Sequence, residues 1–71
     1  MRGIDKAVEL AGSQQELARQ LGVSQQAISE WVLRGYVPVG RVIEIEATYG
    51  VSRLDLVDPQ LRDLLGPIER D

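Results

Sequence analysis

The sequence predicts an all-α protein, a compact bundle of about five short helices. Apolar residues recur at helical spacing along most of the chain, glycines and serines punctuate them at cap positions, and no alternating stretch is long enough for a strand. With 71 residues the chain suits one small domain, which buries only about 60% of its unfolded surface. Aromatic residues make up 4% of it, so Ala, Val, Ile and Leu must build the core. The domain is expected over residues 1–66, with 67–71 a short flexible tail.

Ile4, Ala7, Val8 and Ala11 fall at i, i+3, i+4 and i+7, one face of a first helix that Gly12 ends. Ser13-Gln14-Gln15-Glu16 fits a capping box, with the Ser13 hydroxyl on the Glu16 amide and the Glu16 carboxylate reaching back to the Ser13 amide. Leu17, Ala18 and Leu21 form the inward face of this second helix, and Gly22 suits the left-handed stop. Ser24 then caps a third helix. Val23 before the cap and Ile28 after it make a hydrophobic staple, and Ala27, Ile28, Trp31 and Val32 face inward.

Gly35 closes the third helix, and Tyr36-Val37-Pro38 reads as an extended link, because a residue before proline is pushed out of the helical region. Pro38 can open a fourth helix with Val42, Ile45 and Tyr49 as its stripe and Ile43 widening it, up to Gly50. Val51, Ser52 and Leu56 repeat the staple and cap for a short fifth helix. Asp58-Pro59 is a further start, leading through Leu61, Leu64 and Leu65 to a Gly66-Pro67 stop.

The second and third helices carry a more specific pattern. Leu17 lies five positions before Gly22, Leu21 one before, Val23 one after, Ile28 six after and Trp31 nine after, while small Ala18 sits where the helices must approach closely. These residues build the core that holds two helices at the steep angle of a helix-turn-helix. Gln25 with Ser29 and Gln26 with Glu30 pair at i, i+4 as one polar face at the start of the third helix. That end of a recognition helix reaches base edges in the major groove. Glutamine can bond adenine bidentately, serine can donate or accept, and glutamate can accept from cytosine N4. Gln14, at an amide-rich helix start, suits a phosphate, and the Ser24 cap can meet one too. Arg34 and Arg41, on either side of the link, are candidate phosphate clamps.

Several function classes are excluded. Without cysteine or histidine there is no disulfide framework, thiolate zinc site or imidazole acid–base chemistry. No catalytic constellation, metal site, cofactor or small-molecule substrate is expected. Glu44 and Glu46, two apart on a helix, face different directions, and Trp31 has core spacing rather than that of a stacking platform. Arg19 and Lys6 read as surface charges. No apolar run approaches the roughly 20 residues of a membrane span, so a soluble cytoplasmic protein is expected. The net charge of −3 is unevenly spread: residues 1–41 carry five basic against four acidic side chains, and residues 42–71 three against seven. A mildly positive N-terminal face is compatible with that acidity, although long-range steering toward DNA should be weak.

The segment LARQLGVSQQAISEWVLRG resembles the helix-turn-helix of the Cro and phage-repressor family. VPVGRVIEIEATYGVSRLDL is similar to the continuation in short Cro-like prophage regulators and related antitoxin-type repressors, so the resemblance covers roughly residues 4–57. It implies a lambda-repressor-like bundle that binds a double-stranded DNA operator as a repressor. Gln25, Gln26, Ser29 and Glu30 would then be base readers and Gln14 a phosphate contact, with Glu30 acidic where several relatives are neutral; the alternatives for Glu30 are to repel wrong bases or phosphates, or to pair with Arg34 at i, i+4. In this family the later segment varies between helices and a β-hairpin; the caps at Ser52 and Asp58 favour helices over residues 38–65. A weak homodimer stabilised on DNA is expected, through Leu61, Leu64, Leu65 and Ile68 or the fourth and fifth helices. The alternative is an antitoxin-type interaction module that neutralises a partner protein and autoregulates its operon.

Overall fold

The computed structural model describes residues 2–65, and the side chains of those up to Asp63. The expected Gly66-Pro67 stop, Ile68 and the 67–71 tail lie outside the described residues. Among the described residues six helices form in chain order: α1 Gly3–Ala11, α2 Gln14–Leu21, α3 Gln25–Arg34, α4 Val39–Tyr49, α5 Arg53–Leu56 and α6 Pro59–Leu65. The count exceeds the expected five because the Asp58-Pro59 start makes a separate helix, its Gln60 amide donating to Asp58 Oδ1 at 2.9 Å. Among the described residues no strand forms, so residues 38–65 follow the helical branch of the expectation.

Local chemistry sets the breaks. The Ser13 hydroxyl accepts from the Glu16 amide at 3.0 Å and the Ser24 hydroxyl from the Ala27 amide at 3.1 Å. At the end of α2, Gly22 has φ 72°, and the amides of Gly22 and Val23 donate back to the carbonyls of Arg19 and Ala18. That pairing is a Schellman closure, which needs a left-handed residue at this one position. Pro38 sits one place earlier than expected: it is the N-cap of α4, extended at ψ 141°, and its carbonyl accepts from the Arg41 amide.

Ile4, Leu17, Ile28, Ile45 and Leu56 are fully buried in one core, closed by Trp31 and Val37. Burying each of these aliphatic side chains contributes about 1.5–3 kcal/mol. The turn holds α2 and α3 in the most extensive helix pair, and α1 lies across α2, α4 and α5. The Val37 amide donates to the Leu56 carbonyl at 2.7 Å, which fastens the α3–α4 link to the end of α5. One expectation fails. Ile43 is 55% exposed instead of widening the inward stripe, because Val42, Ile45 and Tyr49 already fill the face toward the core and Ile43 lies about 100° round the helix from Val42.

Candidate nucleic-acid interface

Helix α3 presents Gln25, Gln26 and Glu30 to solvent from its first two turns, while Ile28 and Trp31 on the opposite side are buried. The 3.6-residue repeat separates the two faces, and the Val23–Ile28 staple fixes the entry of the helix. Ser29 lies between the faces and is half-buried. Its hydroxyl donates to Oε1 of Gln14 on α2 at 2.8 Å. The structure therefore brings Gln14 and Ser29 into direct contact and leaves the Gln14 amide nitrogen with its two donors free of that bond.

Arg34, at the C-terminal end of α3, approaches the Glu30 carboxylate at 4.0 Å across one helical turn. Arg41, in the first turn of α4, forms no hydrogen bond or ion pair with the other predicted site residues among the described residues and instead donates to Glu44 at 3.2 Å. The pairing is general. Among the described residues all six arginines lie within 4.0 Å of a carboxylate. The Ser24 hydroxyl is used as the cap of α3.

The capping box forms in one direction only. The Glu16 carboxylate turns away from the Ser13 amide and takes Arg19 Nε at 3.1 Å and Gln20 Nε2 at 2.9 Å. A charged guanidinium is a stronger donor than a neutral amide, and it wins the competition. These bonds, the Arg19 one first, hold the Glu16 carboxyl down to about 2. Gln20 in turn accepts from the Tyr49 hydroxyl, and burial, followed by the nearby Glu16 charge, pushes that phenol up. A polar chain thus ties the end of α4 to the outer face of α2.

Sequence reasoning missed three features near this surface. Leu33 on α3 is 84% exposed beside inward Val32, and Glu46 binds both the side chain and the amide of Arg53. The Arg2 guanidinium packs over the end of α3, where a Cβ built on Gly35 would come within 2.7 Å of Nη1. The 2/5, 16/19, 16/20, 30/34 and 41/44 pairs lie at local helical spacing, whereas the Gln20–Tyr49, Glu46–Arg53 and Arg2–Gly35 contacts join different segments.

Among the described residues no group of three or more metal-ligating side chains forms, and no helix is long and apolar enough to cross a membrane. A groove of about 180 Å³ runs between α4, α5 and α6, with Val39, Ile43, Leu54 and Leu61 among its walls.

A family model described as bacterial toxin YdaS matches residues 4–59. The Cro protein from the putative prophage element Xfaso 1 in Xylella fastidiosa strain Ann-1 is 38% identical, with 96% of this chain and 100% of that one covered and a TM-score of 0.70. XPH1, a hybrid sequence of Xfaso 1 and Pfl 6, two Cro proteins with different folds, is 46% identical over 82% of this chain and 88% of its own, with a TM-score of 0.66. No curated protein matches. With the family model spanning nearly the whole helical bundle and the Cro structures superposing on it, this chain belongs both to the family whose model is described as bacterial toxin YdaS and among the Cro-like prophage proteins.

Proposed function

We propose that the protein is a cytoplasmic, sequence-specific double-stranded DNA-binding transcriptional regulator, a Cro-like repressor without catalytic activity, that reads operator half-sites through α3. The observation that carries this is the exposed polar face of Gln25, Gln26 and Glu30 on a helix whose opposite side is locked into the core. Its kinship with prophage Cro proteins supports the reading. Gln25, Gln26, Ser29 and Glu30 take base edges; Gln14, Ser24, Arg34 and Arg41 take phosphates. Gln14 combines a free amide donor with the start of α2, where helix dipole and backbone amides favour an anion.

A ten-residue helix is only about 15 Å long and covers too few base pairs for operator-level discrimination. Two copies on two half-sites supply the remainder, and the linked binding stabilises a weak dimer. Leu61, one of the residues expected in that contact, shares its groove with Val39 and Ile43, which are 61% and 55% exposed, and this reading seats the second copy there. Leu64, Leu65 and Ile68 lie outside the described side chains.

Selection of bound duplexes from a random pool tests the proposal. A consensus of two related half-sites is expected, and Gln25→Ala and Gln26→Ala should each cost about 1–3 kcal/mol at the bases they contact while leaving the melting temperature unchanged. Arg34→Ala and Arg41→Ala should weaken all sequences alike and lower the salt slope by about one phosphate's worth. A pool that enriches no sequence would sink operator reading. The second reading is an antitoxin-type module that neutralises a partner protein, an alternative that the family's description as a bacterial toxin leaves open. It predicts growth rescue in a host expressing a cotranscribed toxin, with Gln25→Ala as effective as wild type.

A further inference from the structure

Electrostatics on the reading face are unusual for a surface that meets a polyanion. Neither arginine assigned to phosphate is free: Arg34 sits 4.0 Å from Glu30, and Arg41 is hydrogen-bonded to Glu44 at 3.2 Å. Each carboxylate engages the guanidinium that a DNA phosphate would need. To grip a backbone, the arginine must leave its carboxylate, and the released carboxylate then faces the phosphates with its charge uncovered. The two pairs differ in what the released carboxylate finds next. Glu44 lies in the middle of α4 and is not among the residues assigned to base edges, whereas Glu30 is on the face of α3 that carries Gln25 and Gln26.

We infer that Glu30 and Arg34 form a partner-exchange pair that couples phosphate contact to base recognition, making Glu30 a specificity-determining residue that acts against non-operator DNA. The inference rests on the DNA-reading function proposed above. At a matching site, Arg34 moves to a phosphate while Glu30 accepts a hydrogen bond from an exposed cytosine amine, so both charges regain a partner. At any other base the same movement leaves Glu30 without a donor and close to the backbone charge. The pair is well suited to such an exchange. Both side chains are about half exposed, and a 4.0 Å separation is an ion pair without a hydrogen bond, so little is lost in breaking it. The Arg41–Glu44 pair supplies the internal comparison: its opening lowers affinity for every duplex by a similar factor, with no base to compensate.

The probes are the duplex enriched from the random pool and a scrambled duplex of equal length, each titrated across salt by fluorescence anisotropy with wild type, Glu30→Gln, Glu44→Gln, Arg34→Ala and the Arg34→Ala/Glu30→Gln double variant. Glu30→Gln should bind the scrambled duplex about two- to fivefold more tightly, with a steeper salt slope, because an exposed pair of this kind offers little more than that to lose. Its preference for the enriched duplex should fall at least about tenfold, the scale of one base-specific contact. Glu44→Gln should tighten both duplexes to the same extent and keep the ratio. In the Arg34→Ala background, Glu30→Gln removes an uncovered charge but has no arginine to release, so scrambled DNA should still tighten while the salt slope no longer steepens by a phosphate contact. An unchanged ratio in Glu30→Gln, or a salt slope that steepens equally with and without Arg34, overturns the inference and leaves operator reading intact. A wild-type protein that enriches no duplex overturns the reading itself, and the inference with it.

Discussion

Ser29 on α3 donates its hydroxyl hydrogen to the side-chain oxygen of Gln14 on α2 at 2.8 Å, across fifteen positions of chain. The bond orients the first side chain of α2 from the second turn of α3, so the proposed phosphate donor and the proposed base-reading face are set relative to one another before any DNA is bound. Preorganisation of this kind lowers the cost of ordering on binding. Ser29→Ala should therefore weaken duplex binding while costing only about 0.5–1.5 kcal/mol of stability, the net worth of a hydrogen bond. Anisotropy titration and thermal melting separate the two effects, and unchanged affinity would remove any positioning role from this bond.

The turn between α2 and α3 makes opposite demands on two small residues. Ala18 is 4% exposed against α3, so Ala18→Leu should overpack the contact by about 1–3 kcal/mol. Around Gly22 there is open space, and its φ of 72° is the whole constraint. Gly22→Val should cost about 1–2 kcal/mol through backbone strain alone. Each kilocalorie should lower the melting temperature by about 4–8 °C in a domain of this size. Wild-type melting in either variant would contradict the geometry.

Gly3 and Gly40, both helical, should respond to alanine with opposite signs. A Cβ on Gly3 would overlap the Asp55 carbonyl, 2.7 Å from its carbon, and would meet backbone that cannot move without undocking α1 from α5. Gly3→Ala should destabilise by about 1–3 kcal/mol. Nothing lies within 4 Å of a Cβ on Gly40, in the first turn of α4. Gly40→Ala should stabilise by about 0.4–1 kcal/mol by narrowing the unfolded ensemble. Chemical denaturation of the two variants, followed through Trp31 fluorescence, checks both signs.

Acid should weaken the domain in a defined window. Folding depresses the Glu16 carboxyl from 4.5 to about 2, chiefly through its hydrogen bond with Arg19, and Arg53 lowers that of Glu46. A carboxyl depressed by folding contributes stability that is fully present above its unfolded value and is lost as pH falls through the folded one. Melting temperatures should therefore hold above pH 4.5 and decline toward pH 2. Glu16→Gln should flatten that decline, and an identical acid limb in wild type and variant would exclude Glu16 from it.

The proposed dimerisation on DNA makes a distinct prediction for the groove between α4 and α6. Ile43→Glu places a charge at a residue that is 55% exposed, so the fold should be kept. Footprinting should show occupancy of the two half-sites becoming independent, while sedimentation of the free protein stays unchanged. Cooperative protection that survives the substitution would move the dimer contact elsewhere.

Much of the helical order was legible because it is written locally. Ser13, Ser24 and Ser52 each bond an amide two or three residues on, and Gly22, Gly35 and Gly50 adopt positive φ where the apolar stripes end. The polar face of α3 was legible for the same reason, since spacing within one helix determines which residues share a side. Contacts between distant segments were hidden. Nothing in the sequence around Tyr49 announces Gln20, nor does Arg2 point to Gly35, and both meetings depend on how the helices cross. Ile43 was misread because an apolar residue beside a buried stripe looks like part of it, and only tertiary contacts decide how wide the buried stripe is. The half-formed capping box has a third cause: the spacing correctly nominated Glu16, but two donors on its own helix compete for the same carboxylate.

The Val37 amide lies outside every helix and donates to the Leu56 carbonyl at the end of α5, and Val37 is 1% exposed. Helix ends fray independently, but this amide meets solvent only when the α3–α4 link and the end of α5 part, which opens the core. In hydrogen–deuterium exchange Val37 therefore serves as a clock for the whole domain: a non-helical amide whose slow exchange reports global opening, against which the faster helix termini measure local breathing.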